Sequence, residues 1–277
     1  MIAVISGVNQ LDESGFTIDW SAPWLGDLGN LGHDIVTSPD WRGALNRHAA
    51  AIGLINHNHQ PVRFVAQDVL PAGSAYEAFI HATGNVPTRD NLHDLFNALV
   101  WLTWPATKAQ LNHLQATQIA SQAIVATNGV RGATRDAVTL FDESAAILAV
   151  SDNSDGDALI DALRQHRWTA LFVTERERFT SRATPMLFGH AIMEKLVNPY
   201  KAITAHTLIC RVQPAFHTLN VHQQRAQLDA QVAGQVGQTG LQASQFTPLP
   251  VLGVPGWWPQ QDIQFYSDTS VFRPPRK

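Results

Sequence analysis

The chain has 277 residues and a formal net charge of −4, with 45% hydrophobic and only 15% charged residues. That balance excludes intrinsic disorder, which needs low hydrophobicity and high charge, and argues against a basic nucleic-acid surface. A single cysteine, Cys210, excludes an intrachain disulfide and a cysteine-built metal cluster.

The opening MIAVISGVNQLDESG has no Lys or Arg before its short apolar run, and Asp12 and Glu13 follow closely, which makes a poor secretory signal. The most apolar stretch, LFNALVWLTWP from Leu95 to Pro105, is about half the ~20 residues that a membrane span needs. A soluble, cytoplasmic chain with no membrane span is therefore expected. Residues 1–70 read as irregular, with Trp20, Trp24 and Trp41 as anchors among Gly, Pro, Asn and Asp. Within them, DWRGALNRHAAAIGL (40–54) predicts a helix with Ser38 or Asp40 near its N-cap. NHNHQ (56–60) reads as a polar loop whose His57 and His59 are expected to be solvated rather than metal-bound, and VRFV (62–65) as a short strand.

Pro71 and Gly73 open a predicted helix over 74–81, and Gly84, Asn85 and Pro87 form a turn. Thr88 is the expected N-cap of a helix from Arg89 to Trp104, with Asp90 in its first turn, and a second helix from Pro105 to Ala123 completes an αα-hairpin. Residues 126–143 concentrate Arg131, Arg135, Asp136, Asp142 and Glu143 in a charge-poor chain. In a strand, the adjacent Asp142 and Glu143 would face opposite ways. Next come predicted strands over 145–150 and 168–173 around a helix over 157–166. A Thr184-capped helix from Pro185 to Val197, a strand over 203–212 and a Gln-rich helix over 217–232 complete the series. The Gln- and Gly-rich residues 223–245 are the expected flexible segment. PLPVLGVPGWWP cannot be helical and is expected to pack across the body, with a closing strand over 264–272. These elements predict an α+β fold, with a helical N-terminal half and its αα-hairpin packed on a small mixed α/β sheet in the C-terminal half. The expected organisation is one compact domain over 1–277, with a mainly helical lobe at 1–143 and an α/β lobe with a Pro/Gly-rich tail at 144–277.

On the helix from Arg89, Leu92, Leu95, Phe96, Leu99 and Leu102 share one face. The opposite face carries Asp90, His93, Asp94, Asn97, Trp101 and Trp104 where a solvated face would carry Lys, Glu or Arg, which suggests a cleft wall or a second buried layer. His190 and Glu194 lie at i and i+4 in LFGHAIMEKL, a spacing that suits one metal ion and equally a surface pair. Arg131 and Arg135 have the geometry to hold a phosphate or carboxylate, or to tie a loop down through Asp136. Lys108 stands near the positive end of the second hairpin helix, where it does not help the dipole, so it is expected to aim at an anion or a carboxylate. Walker, GxGxxG, HExxH, GxSxG and zinc-finger patterns are absent.

Several long words in order resemble one family, the bacterial domain of unknown function 3025. They are AYEAFIHATGNVPTRDNLHDLFNALVWLTWPATKAQLN, RGATRDAVTLFDE, FGHAIMEKL and PLPVLGVPGWW with FYSDTSVFRPPR, and they span about Trp20 to Arg276. The resemblance implies one family-length unit and carries over no activity, cofactor or catalytic residue.

Three functional readings follow. In the first, a hydrolase-like enzyme, a single cleft gathers His93, Asp94, Asn97, Asp142 and Glu143 as catalytic groups. Arg89, Lys108, Arg131, Arg135, Asp136, Trp101 and Trp104, with Trp257, bind a small-molecule ligand, and His190 with Glu194 holds a divalent metal. In the second, a non-catalytic binding or scaffold protein, the polar clusters are internal hydrogen-bond networks. In the third, an HNH-like nuclease, His81 is the base and His93 or Asn97 a metal-side residue, although the spacing is long for that motif and a long helix does not match a ββα-metal core. Nucleic acid is not the expected partner, and the sequence leaves the oligomeric state open.

Overall fold

The computed structural model describes residues 17–26, 28–124 and 133–275. The N-terminal part is helical, as expected, but it also contains a helix that the sequence hides. α1 (Leu28–Val36) contains Gly29 and Gly32, poor helix formers. Both are required by packing. A Cβ on Gly29 would strike the Trp20 carbonyl, and one on Gly32 would strike the Trp20 ring. α2 (Trp41–Ala51) is capped by Asp40, whose side chain accepts from the Gly43 amide. β1 (Arg63–Val65) pairs in parallel with β2 (Asn85–Pro87), and between them α3 (Tyr76–Thr83) ends at Gly84 in the left-handed region.

α4 (Leu92–Thr103) starts three residues later than expected. Its cap is Asn91, which accepts from the Asp94 amide, while the Thr88 hydroxyl donates to the Val86 carbonyl and is buried. α5 (Pro105–Ile124) follows across Trp104 and closes the αα-hairpin. The start of α5 is capped from a distance: Asp229 accepts from the Ala106 and Thr107 amides at 2.9 and 2.8 Å. α6 (Ala133–Ser144) is a helix, so Asp142 and Glu143 lie about 100° apart around it rather than on opposite faces of a strand. Asp142 is buried and Glu143 exposed.

The C-terminal half is built on a four-stranded sheet in the order β4-β3-β5-β6. β3 (Ala145–Ser151) is buried at every residue and pairs in parallel with β5 (Thr204–Val212). The edges are antiparallel, β4 (Ala183–Leu187) on β3 and β6 (Phe246–Pro250) on β5. Both edge strands contain proline, which a sheet edge tolerates because one side of the ladder is free. That explains one correction: Pro185 does not open a helix but lies in β4, and only the short α9 (His190–Lys195) follows. After α7 (Ser154–Arg164), the expected strand over 168–173 is instead helical, with a π-type turn at Ala170–Thr174 leading into α8 (Arg176–Arg182). The apolar run WTALFV fits a buried helix as well as a strand, and Phe172 inserts among Trp168, Phe179 and Tyr266. The Gln- and Gly-rich segment forms most of α10 (Val221–Thr239), which packs along α5. The Pro/Gly tail crosses the body, burying Leu249, Val251, Leu252 and Val254. The expected closing strand is replaced by a single turn, α11 (Ile263–Tyr266), and the buried Phe272.

These elements make an α+β fold. α4 packs on α9, α5 on α10, and α6 bridges the hairpin to β3 and β5. Among the described residues, no helix is long and apolar enough to cross a membrane.

Candidate active site

The packing of α4 on α9 and of α5 on α6 brings together side chains that lie far apart in sequence. In the first turn of α4, His93 projects into a cleft of about 370 Å³, with Asp94 and Asn97 beside it. Arg89, Asp142, Glu143 and His190 line the same cleft, as do Tyr76, Glu77 and Gln115. Seven of the residues singled out by pattern therefore converge, although α4 and α9 are about a hundred positions apart.

His190 owes its place to a glycine. A Cβ on Gly189 would lie 2.5 Å from the Glu143 carbonyl oxygen and from the Ser144 and Ala145 amide nitrogens. Without one, α9 starts flush against the corner where α6 becomes β3, a fit sealed by bonds from the Phe188 and Gly189 amides to the Ala145 carbonyl. This sets His190 beside Asp142.

The groups form one chain of contacts. Glu194 Oε2 lies 2.9 Å from His93 Nδ1, and His93 Nε2 lies 3.0 Å from His190 Nε2. His190 Nδ1 faces Asp142 Oδ2 at 3.7 Å, an ion-pair distance rather than a hydrogen bond. Asp142 Oδ1 accepts from Lys108 Nζ at 2.6 Å, and Lys108 also donates to Asn97 Oδ1 at 2.9 Å. The Asn97 amide donates to the Tyr76 hydroxyl. The chain runs from a half-exposed end, where His93 and Glu194 have 36% and 39% of their side chains accessible, to a buried end at Lys108 and Asp142.

Proton arithmetic constrains this chain. Two neutral imidazoles carry two N–H groups for the two contacts of hydrogen-bond length, Glu194 to His93 and His93 to His190. Both are satisfied with the His93 proton on Nδ1, toward Glu194, and the His190 proton on Nε2, toward His93 Nε2. Burial above all drives His190 down to about 4. The Asp142 carboxylate works against that shift, while Lys108 and His93 add to it. Burial pushes Asp142 up, but the Lys108 ammonium and His190 outweigh it, and the carboxyl ends below its ordinary value. Burial first, then the charges of Glu77, Asp94 and Asp142, lifts Tyr76 well above the usual phenol value, so it stays a neutral hydroxyl.

Several expectations change. His190 and Glu194 do not face one another as a ligand pair, because His93 stands between them in the contact chain. Asp94 is not a free catalytic carboxylate. It is buried, and Arg89 holds it by backbone and guanidinium bonds at 2.7, 3.1 and 2.9 Å. Lys108 is paired with Asp142 and Asn97 rather than aimed into open space, and it lies 5.5 Å over the Trp101 ring, which is buried behind it. Trp104 and Trp257 line a different cavity, with Trp24 and Arg225, rather than the His93 cleft. Asp136 is exposed and does not line the cleft. Arg131 and the side chain of Arg135 lie outside the described residues. Tyr76 and Gln115, which pattern did not single out, reach the cleft from α3 and α5. Their type gave no cue, and only the packing of the two helices turns them inward.

The family described as "Protein of unknown function (DUF3025)" matches residues 62–276. The chain belongs to the DUF3025 family. The match starts at Val62, later than the Trp20 at which the resemblance was expected to begin, and it contains every residue of the His93 cleft. Neither the curated proteins nor the solved structures yielded a match. The HNH-like pattern within this DUF3025 chain lacks its frame: β1 and β2 pair in parallel rather than as a hairpin, and His81 bonds to His113.

Proposed function

We propose that the DUF3025 chain is a hydrolase whose cleft uses His93 as a general base. One observation carries this reading. A part-exposed imidazole in a cleft is held at Nδ1 by a carboxylate, Glu194, and presents Nε2 inward. For the reaction the His190 contact at Nε2 opens, an attacking water takes its place and gives its proton to Nε2 of neutral His93, and Glu194 and Asp142 offset the charge that develops on the pair of imidazoles. His190, kept neutral by burial, fixes the direction of Nε2. Arg89, whose side chain is more than half exposed at the cleft rim and whose guanidinium keeps donors beyond those given to Asp94, supplies them to an anionic part of a small substrate. A phosphoester or an amide with a nearby anionic group is the matching substrate class.

The test is a panel of chromogenic phosphoester, carboxylester and amide substrates, with wild type and His93→Ala compared on equally folded protein. A substrate hydrolysed by wild type and about 10²–10⁴-fold more slowly by His93→Ala supports the reading. Equal turnover by the two proteins overturns it. A specific observation favours the alternative, a non-catalytic binding protein: the deep end of the cleft is closed by mutual pairing of Asn97, Lys108 and Asp142. That alternative predicts no turnover across the panel together with saturable binding of an anionic small molecule that Arg89→Ala weakens.

A further inference from the structure

Away from the His93 cleft, three histidines converge on the outer face of α3 and α5. His81 lies in the last turn of α3, His113 in the middle of α5, and His57 in the loop before β1. One ring nitrogen from each lies within 4.8 Å of the other two. The two helical members are closest, with His81 Nε2 3.0 Å from His113 Nδ1. α3 and α5 pack together, so this pair is held by rigid elements. The loop is also built. Asn56 donates to the Ile80 and His81 carbonyls and accepts from the Asn58 and Gln60 amides, while Asn58 donates to the His81 carbonyl. These bonds dock residues 56–60 on the end of α3 and set His57 over His113.

We propose that His57, His81 and His113 form a binding site for a divalent transition metal of the zinc class, with its fourth position open to solvent. Three imidazoles with an open position are a zinc ligand set, and imidazole nitrogen suits zinc, nickel and copper over magnesium or calcium. The separation of His81 Nε2 and His113 Nδ1 is close to that of two ligands on one tetrahedral ion, since metal–nitrogen bonds of about 2.0–2.1 Å put neighbouring ligands roughly 3.3 Å apart. Two adjustments complete the site. His57 and His113 are stacked, 8° from parallel with centroids 3.7 Å apart, so their in-plane lone pairs lie side by side. His57 is exposed in its loop and turns its ring to share the ion. His81 Nδ1 faces the Asn58 amide at 3.2 Å, which places the His81 proton on Nε2 in the metal-free form. Binding moves that proton to Nδ1, and the exposed Asn58 amide turns aside.

This inference is independent of the hydrolase reading, and its test reads binding rather than activity. Full-length protein is titrated with Zn²⁺ by calorimetry, with Co²⁺ absorption reporting coordination geometry. The expected result is one equivalent of zinc and tetrahedral cobalt bands. His113→Gln weakens binding by about 100-fold or more, and His57→Ala, an exposed substitution that leaves the fold intact, also weakens it. His59→Ala and His190→Ala leave it unchanged. Asn58→Asp, which gives His81 Nδ1–H a carboxylate to donate to, tightens binding by about 10-fold. No zinc uptake by wild type, uptake unaffected by His113→Gln and His57→Ala, or loss on His190→Ala would each overturn the assignment.

Discussion

Lys108 Nζ lies 2.6 Å from Asp142 Oδ1, and both side chains are almost wholly buried, at 6% and 12% exposure. A cation and an anion withdrawn from water are tolerated because each neutralises the other and Asn97 Oδ1 accepts a further hydrogen bond from the ammonium. Removing one partner leaves the other charged in a low-dielectric site. Lys108→Met is expected to cost about 3–5 kcal/mol in unfolding free energy, measured by denaturant titration. The double variant Lys108→Met/Asp142→Leu is expected to recover most of that loss, because no uncompensated charge remains. A double variant no more stable than Lys108→Met would show that the pair is not acting as a unit.

Acid should loosen the same corner of the molecule. His190 titrates at about 4 in the folded chain against an ordinary value of about 6.5. The unfolded chain therefore binds more protons between those values. The stabilisation is fully present above about pH 6.5 and is lost as pH falls toward 4. By linkage, the contribution is about 3 kcal/mol as an order of magnitude. Asp142, held below its ordinary value, adds a loss at lower pH in the same direction. Unfolding free energy measured between pH 7 and pH 4 should fall more steeply for wild type than for His190→Asn. Parallel curves would remove the assigned cause.

How much of this was legible in the sequence depends on the range of the signal. The polar face of α4 announced itself, because His93 and Asn97 stand where Lys or Glu would be expected and the four-residue period needs no tertiary information. The direction of each side chain did not follow. His190 and Glu194 look like a pair at i and i+4, yet α4 inserts His93 between them, which no local pattern encodes. α1 was hidden because Gly29 and Gly32 lower local helix propensity, and only the distant Trp20 explains them. The residues of β4 predict a helix because Thr184 and Pro185 mimic a helix start. Edge position in the sheet overrode that cue. The three-histidine cluster is hidden in a similar way, since the NHNHQ loop reads as solvated and His113 joins only through the docking of α5 on α3.

Gly189 gives a direct test of how the cleft is assembled. Its backbone conformation is ordinary, with φ −62°, so an alanine there faces no intrinsic strain. The obstacle is the neighbouring chain, because an added Cβ meets three backbone atoms of residues 143–145 at 2.5 Å. Backbone does not move aside as a flexible side chain does. Gly189→Ala is therefore expected to destabilise by about 1–3 kcal/mol, as overpacking does, and to push α9 away from the corner. Thermal unfolding reads the first effect, and the His190 imidazole resonances in a histidine-labelled sample read the second. Unchanged melting and unchanged resonances would contradict the close approach.

Asp229 is an N-cap supplied from another helix. α5 begins at Pro105, and the carboxylate of Asp229 on α10 accepts from the Ala106 and Thr107 amides, with the Thr107 hydroxyl on the Asp229 carbonyl. Burial raises the Asp229 carboxyl, and those bonds with Arg225 only partly offset it, so the charge itself is held at a cost. Its acceptor oxygens are what α5 needs. Asp229→Ala removes both and leaves the buried Thr107 amide without a partner and the part-buried Ala106 amide to water, an expected loss of about 1–2 kcal/mol. Asp229→Asn keeps one acceptor oxygen and sheds the buried charge, so it should lose less than half as much. Equal losses in the two variants would mean that the charge on Asp229, rather than its geometry as a cap, holds α5 to α10.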